Sequence, residues 1–241
     1  MTDVFVCVWE IQANHQNRAQ CVVVVGEWCS SRRLQSNPDK TELIWFGSRT
    51  NIERLQQEDT SLQIGSTITS IRVHVGKVAS ECFYHLRCLC QLHFILTWPM
   101  MQRLASAFIL SQLDYCNTVL AGLPAITLAP LQRVVNAAVR LVAGLGWHDH
   151  VTPAMRELHW LPVVYCIKYK LCISMQASVN DRCPEYISEV LVATPRLPGR
   201  SLLRSVSSGA YDVPRTKTEF SKSAFSVAGQ KMWNELPIHL R

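Results

Sequence analysis

The chain has 241 residues, carries 24 Lys and Arg against 18 Asp and Glu for a formal charge of +6, and is nearly half apolar. That length allows one or two domains with a real core, and that apolar content excludes wholesale disorder. No stretch reaches the roughly 20 apolar residues that a membrane span requires. Asp3 and Glu10 break up the only leader-like opening, so no signal peptide and no membrane partner are expected.

Ten cysteines raise the question of a disulfide framework. Most stand inside apolar, helix-like runs (Cys82, Cys88, Cys90, Cys166, Cys172), where free Cys acts as a small hydrophobe. Reduced thiols and an intracellular setting, cytoplasmic or nuclear, are expected. The charge is uneven. Arg196, Arg200, Arg204, Arg215, Lys217, Lys222, Lys231 and Arg241 face only Asp212, Glu219 and Glu235, so residues 196–241 carry +5 of the +6. Such a tail is what a polyanion partner would require, through counterion release, while composition alone favours a solvated segment.

In chain order, residues 1–20 show no assignable pattern. Cys21, Val24, Val25, Trp28 and Cys29 repeat with helical spacing. Asn37-Pro38-Asp39 marks a turn, and Leu43 to Phe46 reads as a strand ended by Gly47. Leu62 to Gly65 and Thr67 to Val75 read as two strands around a tight turn.

Beyond Gly76 the pattern becomes helical. Val78 to Leu96 is expected to be one helix with Cys82, Phe83, Leu86, Leu89 and Cys90 on one face. Pro99 suits the first turn of a helix reaching Cys116. Thr127 to Val142 predicts a helix burying Leu131, Val134, Val135, Ala138, Leu141 and Val142 and stopped by Gly144 and Gly146. Thr152-Pro153 reads as an N-cap followed by a first-position proline. Pro162 opens a helix to Val179, and Cys183-Pro184 a short one to Val192. Residues 193–218 are expected to be extended or loosely ordered, and Phe220 to Leu236 to form a last helix bearing Phe225, Val227 and Trp233.

Several phrases are more specific than periodicity. Asn37-Pro38-Asp39-Lys40-Thr41-Glu42 leads into Leu43-Ile44-Trp45-Phe46-Gly47. Leu113-Asp114-Tyr115-Cys116-Asn117 leads to Gly122-Leu123-Pro124. Then come Leu131-Gln132-Arg133 with Asn136 to Val142, Leu158-His159-Trp160-Leu161-Pro162-Val163, and Trp233-Asn234-Glu235-Leu236-Pro237. In this order they resemble the C-terminal region of LINE-type (non-LTR) retrotransposon reverse transcriptases of the jockey-like and chicken-repeat-like branches. The resemblance covers residues 21–241.

It implies a mainly α fold with a small α+β N-terminal part. Residues 21–76 would be a palm remnant, 77–192 a helical thumb-like bundle, and 193–241 an irregular basic tail with a C-terminal helix. It implies an RNA or DNA duplex as partner, held by its backbone through Arg133, Arg140, Lys168 and Lys170 and through Arg200, Arg204, Arg215 and Lys217. Lys40 would stand where the family places a lysine near the triphosphate, as a remnant general acid. The alternative for each is an exposed charge.

The departures are as informative. The family's Ala-Asp-Asp hairpin precedes the Lys-Thr-Glu strand, and its aspartates hold Mg²⁺ for nucleotidyl transfer. No Asp-Asp occurs here, and the one adjacent acidic pair, Glu58-Asp59, follows the strand. Without clustered carboxylates Mg²⁺ lacks an anchor, so a Mg²⁺ cofactor is expected only for an intact parent enzyme and no polymerase activity for this chain. A Leu-Gly-Val-x-x-Asp-like segment usual before the thumb is also missing at Val73-His74-Val75-Gly76-Lys77.

Cys88, Cys90 and His93, or His148, His150 and His159, lack the paired spacing of a structural zinc site. His159 and Trp160 are read as packing between helices. No Gly-x-Ser-x-Gly or phosphate-binding glycine loop appears. Three readings remain open: an inactive polymerase fragment, a nucleic-acid-binding remnant, and an unstable product of a degenerate reading frame.

Overall fold

A computed structural model describes residues 27, 30–33, 42–45, 67–180, 182–183, 191, 209–216 and 220–241. The expected helix at Cys21–Cys29 (Glu27 apart), the Asn37-Pro38-Asp39 turn, Leu62–Gly65 and the helix opened by Cys183-Pro184 (Cys183 and Leu191 apart, neither of them helical) lie outside these residues. The chain divides into two compact units, residues 1–74 and 75–241, and the architecture is mainly α.

In the first unit, β1 (Glu42–Trp45) and β2 (Thr67–Ser70) pair in parallel, with Glu42 opposite Thr67 and Trp45 opposite Ser70. This corrects the expected strand from Thr67 to Val75, because Ile71 already begins α1 (Ile71–Leu92). The β-branched alternation at Ile71, Val73 and Val75 is overridden by a stronger pattern. Val75, Ala79, Cys82, Leu86 and Leu89 are all buried, and their 4-3-4-3 spacing is the seam of a helix. The helix therefore runs seven residues earlier than expected and ends at Leu92, not Leu96. Cys90, expected on its inner face, is exposed.

The second unit opens with the rest of α1. Thr97 precedes α2 (Trp98–Ala105), with Pro99 in the first turn, where its missing N–H costs nothing. A π-helical turn, Ser106–Leu110, joins α2 to α3 (Ser111–Asp114). The buried residues Met101, Ala105, Ile109 and Leu113 recur every fourth position. In a regular helix that spacing drifts off one face, and the wider π turn brings it back. Cys116, at a left-handed φ of 50°, leads into a 3₁₀ turn at Asn117–Leu120, so the helix expected to reach Cys116 stops at Asp114.

The central helix is α4 (Ala125–Ala143), with buried faces at Leu131, Val134, Val135, Ala138 and Val142, as its period predicts, while Leu141 is only half-buried. Its length and apolarity would suit a membrane span by composition alone. Eight of its residues are buried within the unit, the position of a core helix. Gly144 ends it at φ 64°, and the Leu145 N–H reaches back to Arg140 O at 3.0 Å.

In α5 (Val151–Glu157) the cap is His150, not Thr152, so Pro153 stands third. Its far end closes through a left-handed His159 at φ 55°, where the Trp160 N–H bonds Met155 O at 2.9 Å. That turn buries Trp160 and points His159 outward, which corrects the expectation that both pack between helices.

The helix α6 (Val163–Val179) follows Pro162 as expected and packs on α4, on the 3₁₀ turn and most extensively on α7 (Phe225–Glu235). A 3₁₀ turn, Phe220–Ser223, stands where the last helix was expected to begin. Met175, Leu191 and Trp233 form one buried cluster, flanked by Tyr211, Phe225 and Leu236. The segment 209–216 and α7 thus belong to the helical unit.

Candidate nucleic-acid interface

The positive charge resides in the helical unit. Residues 75–241 hold 17 basic and 10 acidic side chains, whereas residues 1–74 hold seven and eight. Five of the expected phosphate ligands fall on described residues: Arg133, Arg140, Lys168, Lys170 and Arg215. Lys40, Arg200, Arg204 and Lys217 lie outside them.

Three of those five make polar contacts within the fold. Lys170 Nζ stands 2.7 Å from Asp114 Oδ2 and also donates to Asp114 O. Asn117 Nδ2 supports the same carboxylate, donating to Asp114 Oδ1 at 3.2 Å. Lys168 Nζ lies 4.0 Å from Glu235 Oε2, a looser pair. Arg140 reaches off α4 to Asp149 O at 3.4 Å. Asp149 Oδ2 in turn accepts the Gly146 N–H at 2.7 Å, so Arg140 pins the loop that follows its own helix. Arg133 and Arg215 are exposed.

The partners of Lys168 and Lys170 are far away in sequence, so helical position alone gave no sign of them. Exposed pairs of this kind contribute only about 0.2–1 kcal/mol, and a phosphate can compete for either lysine. Arg87, Arg103 and Arg156 are also exposed on helices. They were not among the expected ligands.

A second cluster joins α1 to α3. Cys82 Sγ donates to Gln112 Oε1 at 3.2 Å, Gln112 Nε2 lies 3.4 Å from His85 Nε2, and the His85 ring stacks on Phe108 at 5.7 Å. Cys and His one turn apart invite a nucleophile reading. Burial, reinforced by Glu81, instead pushes the Cys82 thiol up to about 11. A protonated thiol is a poor nucleophile, and this one serves as a donor between helices. Burial likewise raises the thiols of Cys116, Cys166 and Cys172. Among the described residues no three His, Cys, Asp or Glu side chains converge as a metal site.

Two of the quoted phrases meet at a helix junction. Gln132 Oε1 accepts the Val163 N–H at 3.0 Å and thereby caps α6, while Gln132 Nε2 donates to Asn136 Oδ1 at 2.9 Å. Gly122, at φ 73°, approaches the 3₁₀ turn so closely that an added Cβ would lie 3.2 Å from Ser223 Oγ. The class these features define is a basic, mainly helical unit with capped and interlocked junctions. Compared with protein-family models, with curated proteins and with solved structures, the chain finds no match in any of the three.

Proposed function

We propose that this chain is a non-catalytic remnant of a LINE-type reverse transcriptase, with a palm-derived part at residues 21–76 and a thumb-derived helical part after it. The observation that carries this reading is the order of the five phrases from Asn37 to Pro237. Any one of them is weak, and five in sequence are not. Inactivity rests on a separate observation, the absence of an Asp-Asp pair from these 241 residues. Purified chain supplied with primed RNA, dNTPs and Mg²⁺ is expected to give no primer extension. Clear extension overturns the reading. Genomic sequence upstream of the Met1 codon, with an in-frame or frameshifted Ala-Asp-Asp hairpin, would support it independently.

One observation favours a second reading, in which the helical unit still binds RNA or DNA duplex by its backbone. Residues 75–241 carry a surplus of seven positive charges, the condition for counterion release. Its test is a salt titration of duplex binding, where affinity must fall steeply as salt rises. Affinity independent of salt eliminates phosphate contact.

A further inference from the structure

The corner between α1 and α2 concentrates exposed apolar side chains more than any other described stretch of its length. Within nine residues, Leu92, Phe94, Ile95, Trp98 and Met100 are all exposed, Phe94 at 95% and Ile95 at 80%. Phe94 has one ring neighbour, the adjacent His93, edge-on at 5.7 Å. An apolar concentration of this kind on a helical corner marks a surface made to leave water.

The surrounding charge says what it meets. No acidic residue occurs between Glu81 and Asp114, and the only charged side chains in that interval are Arg87 and Arg103. Both are exposed. Arg87 stands five residues before the end of α1 and Arg103 five residues after the start of α2. At 1.5 Å rise per residue, each lies about 7.5 Å behind the corner. Interfacial elements bury their apolar face roughly 5–10 Å into the headgroup boundary, a span comparable with that spacing. The exposed outer face of α6 (Tyr165, Tyr169, Ile173) lacks this arrangement, because its neighbouring Lys168 and Lys170 face Glu235 and Asp114.

We propose that the α1–α2 corner docks onto an anionic lipid surface, with Phe94 and Ile95 inserted, Trp98 at the boundary, and Arg87 and Arg103 on lipid phosphates. This does not depend on the polymerase ancestry. A corner of this size needs no spanning helix, since insertion is shallow and charge attraction supplies the second anchor.

Flotation of the full chain with vesicles tests it, using phosphatidylcholine alone and phosphatidylcholine mixed with phosphatidylserine. Co-flotation is expected with the mixed vesicles and is weakened by salt. F94S/I95S should lose at least about tenfold in partitioning, given two apolar side chains withdrawn, with far-UV circular dichroism unchanged. R87Q/R103Q should flatten the dependence on phosphatidylserine. The proposal is overturned by no flotation with either vesicle, or by F94S/I95S floating like the parent. It is equally overturned if light scattering reveals a dimer that F94S/I95S dissociates while lipid binding stays put, which would assign the corner to a second copy of the chain.

Discussion

Asn234 and Tyr211 exchange two hydrogen bonds: the Tyr211 N–H donates to Asn234 Oδ1 at 3.0 Å, and Asn234 Nδ2 donates to Tyr211 O at 2.7 Å. A side-chain amide here does what a neighbouring strand would do, bonding both the N–H and the carbonyl of one residue. Trp233 Nε1 adds a bond to Gly209 O at 2.9 Å. With its amide turned to suit its surroundings, the fully buried Gln230 donates to Ser226 O and Asp212 O. Successive positions of α7 thus fasten the segment 209–212 to the helical unit.

Asn234→Asp tests that fastening with almost no change of shape. It replaces the donor facing Tyr211 O by an oxygen, so the bond from Asn234 to that half-buried carbonyl is lost. The expected cost is about 1–3 kcal/mol in urea denaturation. Limited proteolysis should find a new cut within 209–216. Unchanged stability and cleavage would mean the pair is incidental.

The start of α1 can be tested against the strand that its sequence resembles. In a strand Val73 and Val75 share a face and respond alike to truncation. In the helix Val73 is 62% exposed and Val75 2%. Val75→Ala should therefore cost about 2 kcal/mol, and Val73→Ala no more than about 0.5 kcal/mol. Equal effects on the melting temperature would refute the helical register.

That contrast shows where the sequence was legible. The helices α4 and α6 were readable because their apolar period, their glycine stop and their proline start agree. The beginning of α1 was not, since β-branched residues favour a strand locally and only the seam from Val75 to Leu89 decides otherwise. Thr152 made a better nominal cap than His150, yet the chain entered α5 earlier. Among the candidate ligands, Arg133 and Arg215 could be placed on the surface from sequence. The pairing of Lys170 with Asp114 could not, because it forms only when α6 packs beside the turn at Asn117.

Gly229 sits where α7 crosses α6. An added Cβ would meet Phe225 Cε2 at 2.9 Å and Met175 Sδ at 3.1 Å. Gly229→Ala gains some helix propensity, up to about 1 kcal/mol, but must displace two packed side chains at a cost of about 1–3 kcal/mol. Net destabilisation is expected, and Gly229→Val should be clearly worse. Stabilisation by the alanine would show that Phe225 swings away freely.

The Cys82 thiol gives stability a pH dependence of known sign. Its folded pKa, about 11, lies above the ordinary 9.0. The neutral thiol is the form the fold accepts, so its contribution is complete below about pH 9 and is lost as pH rises toward 11. Two pKa units correspond to no more than about 3 kcal/mol. Cys82→Ala lowers stability at neutral pH by leaving a small cavity, but that loss does not vary with pH. The gap in stability between parent and variant should hence shrink above pH 9, and a gap constant to pH 11 would contradict the burial of this thiol.

Gln132 joins two of the quoted phrases, since it stands in one and caps the helix that begins at the end of the other. Val163 is the first residue of α6, and its N–H has no carbonyl within its own helix to bond. Gln132 Oε1 supplies one from α4, held in place by Asn136. Gln132→Ala should cost about 1 kcal/mol, the usual worth of a cap. Gln132→Glu keeps the acceptor, and its charge also favours the positive end of the helix, but it loses the donor to Asn136. It should fall between parent and alanine. Asn136→Ala then separates the roles: beside Gln132→Ala it should add little, because the two residues act through one bond at Val163. Full additivity in the double variant would place Asn136 outside the cap.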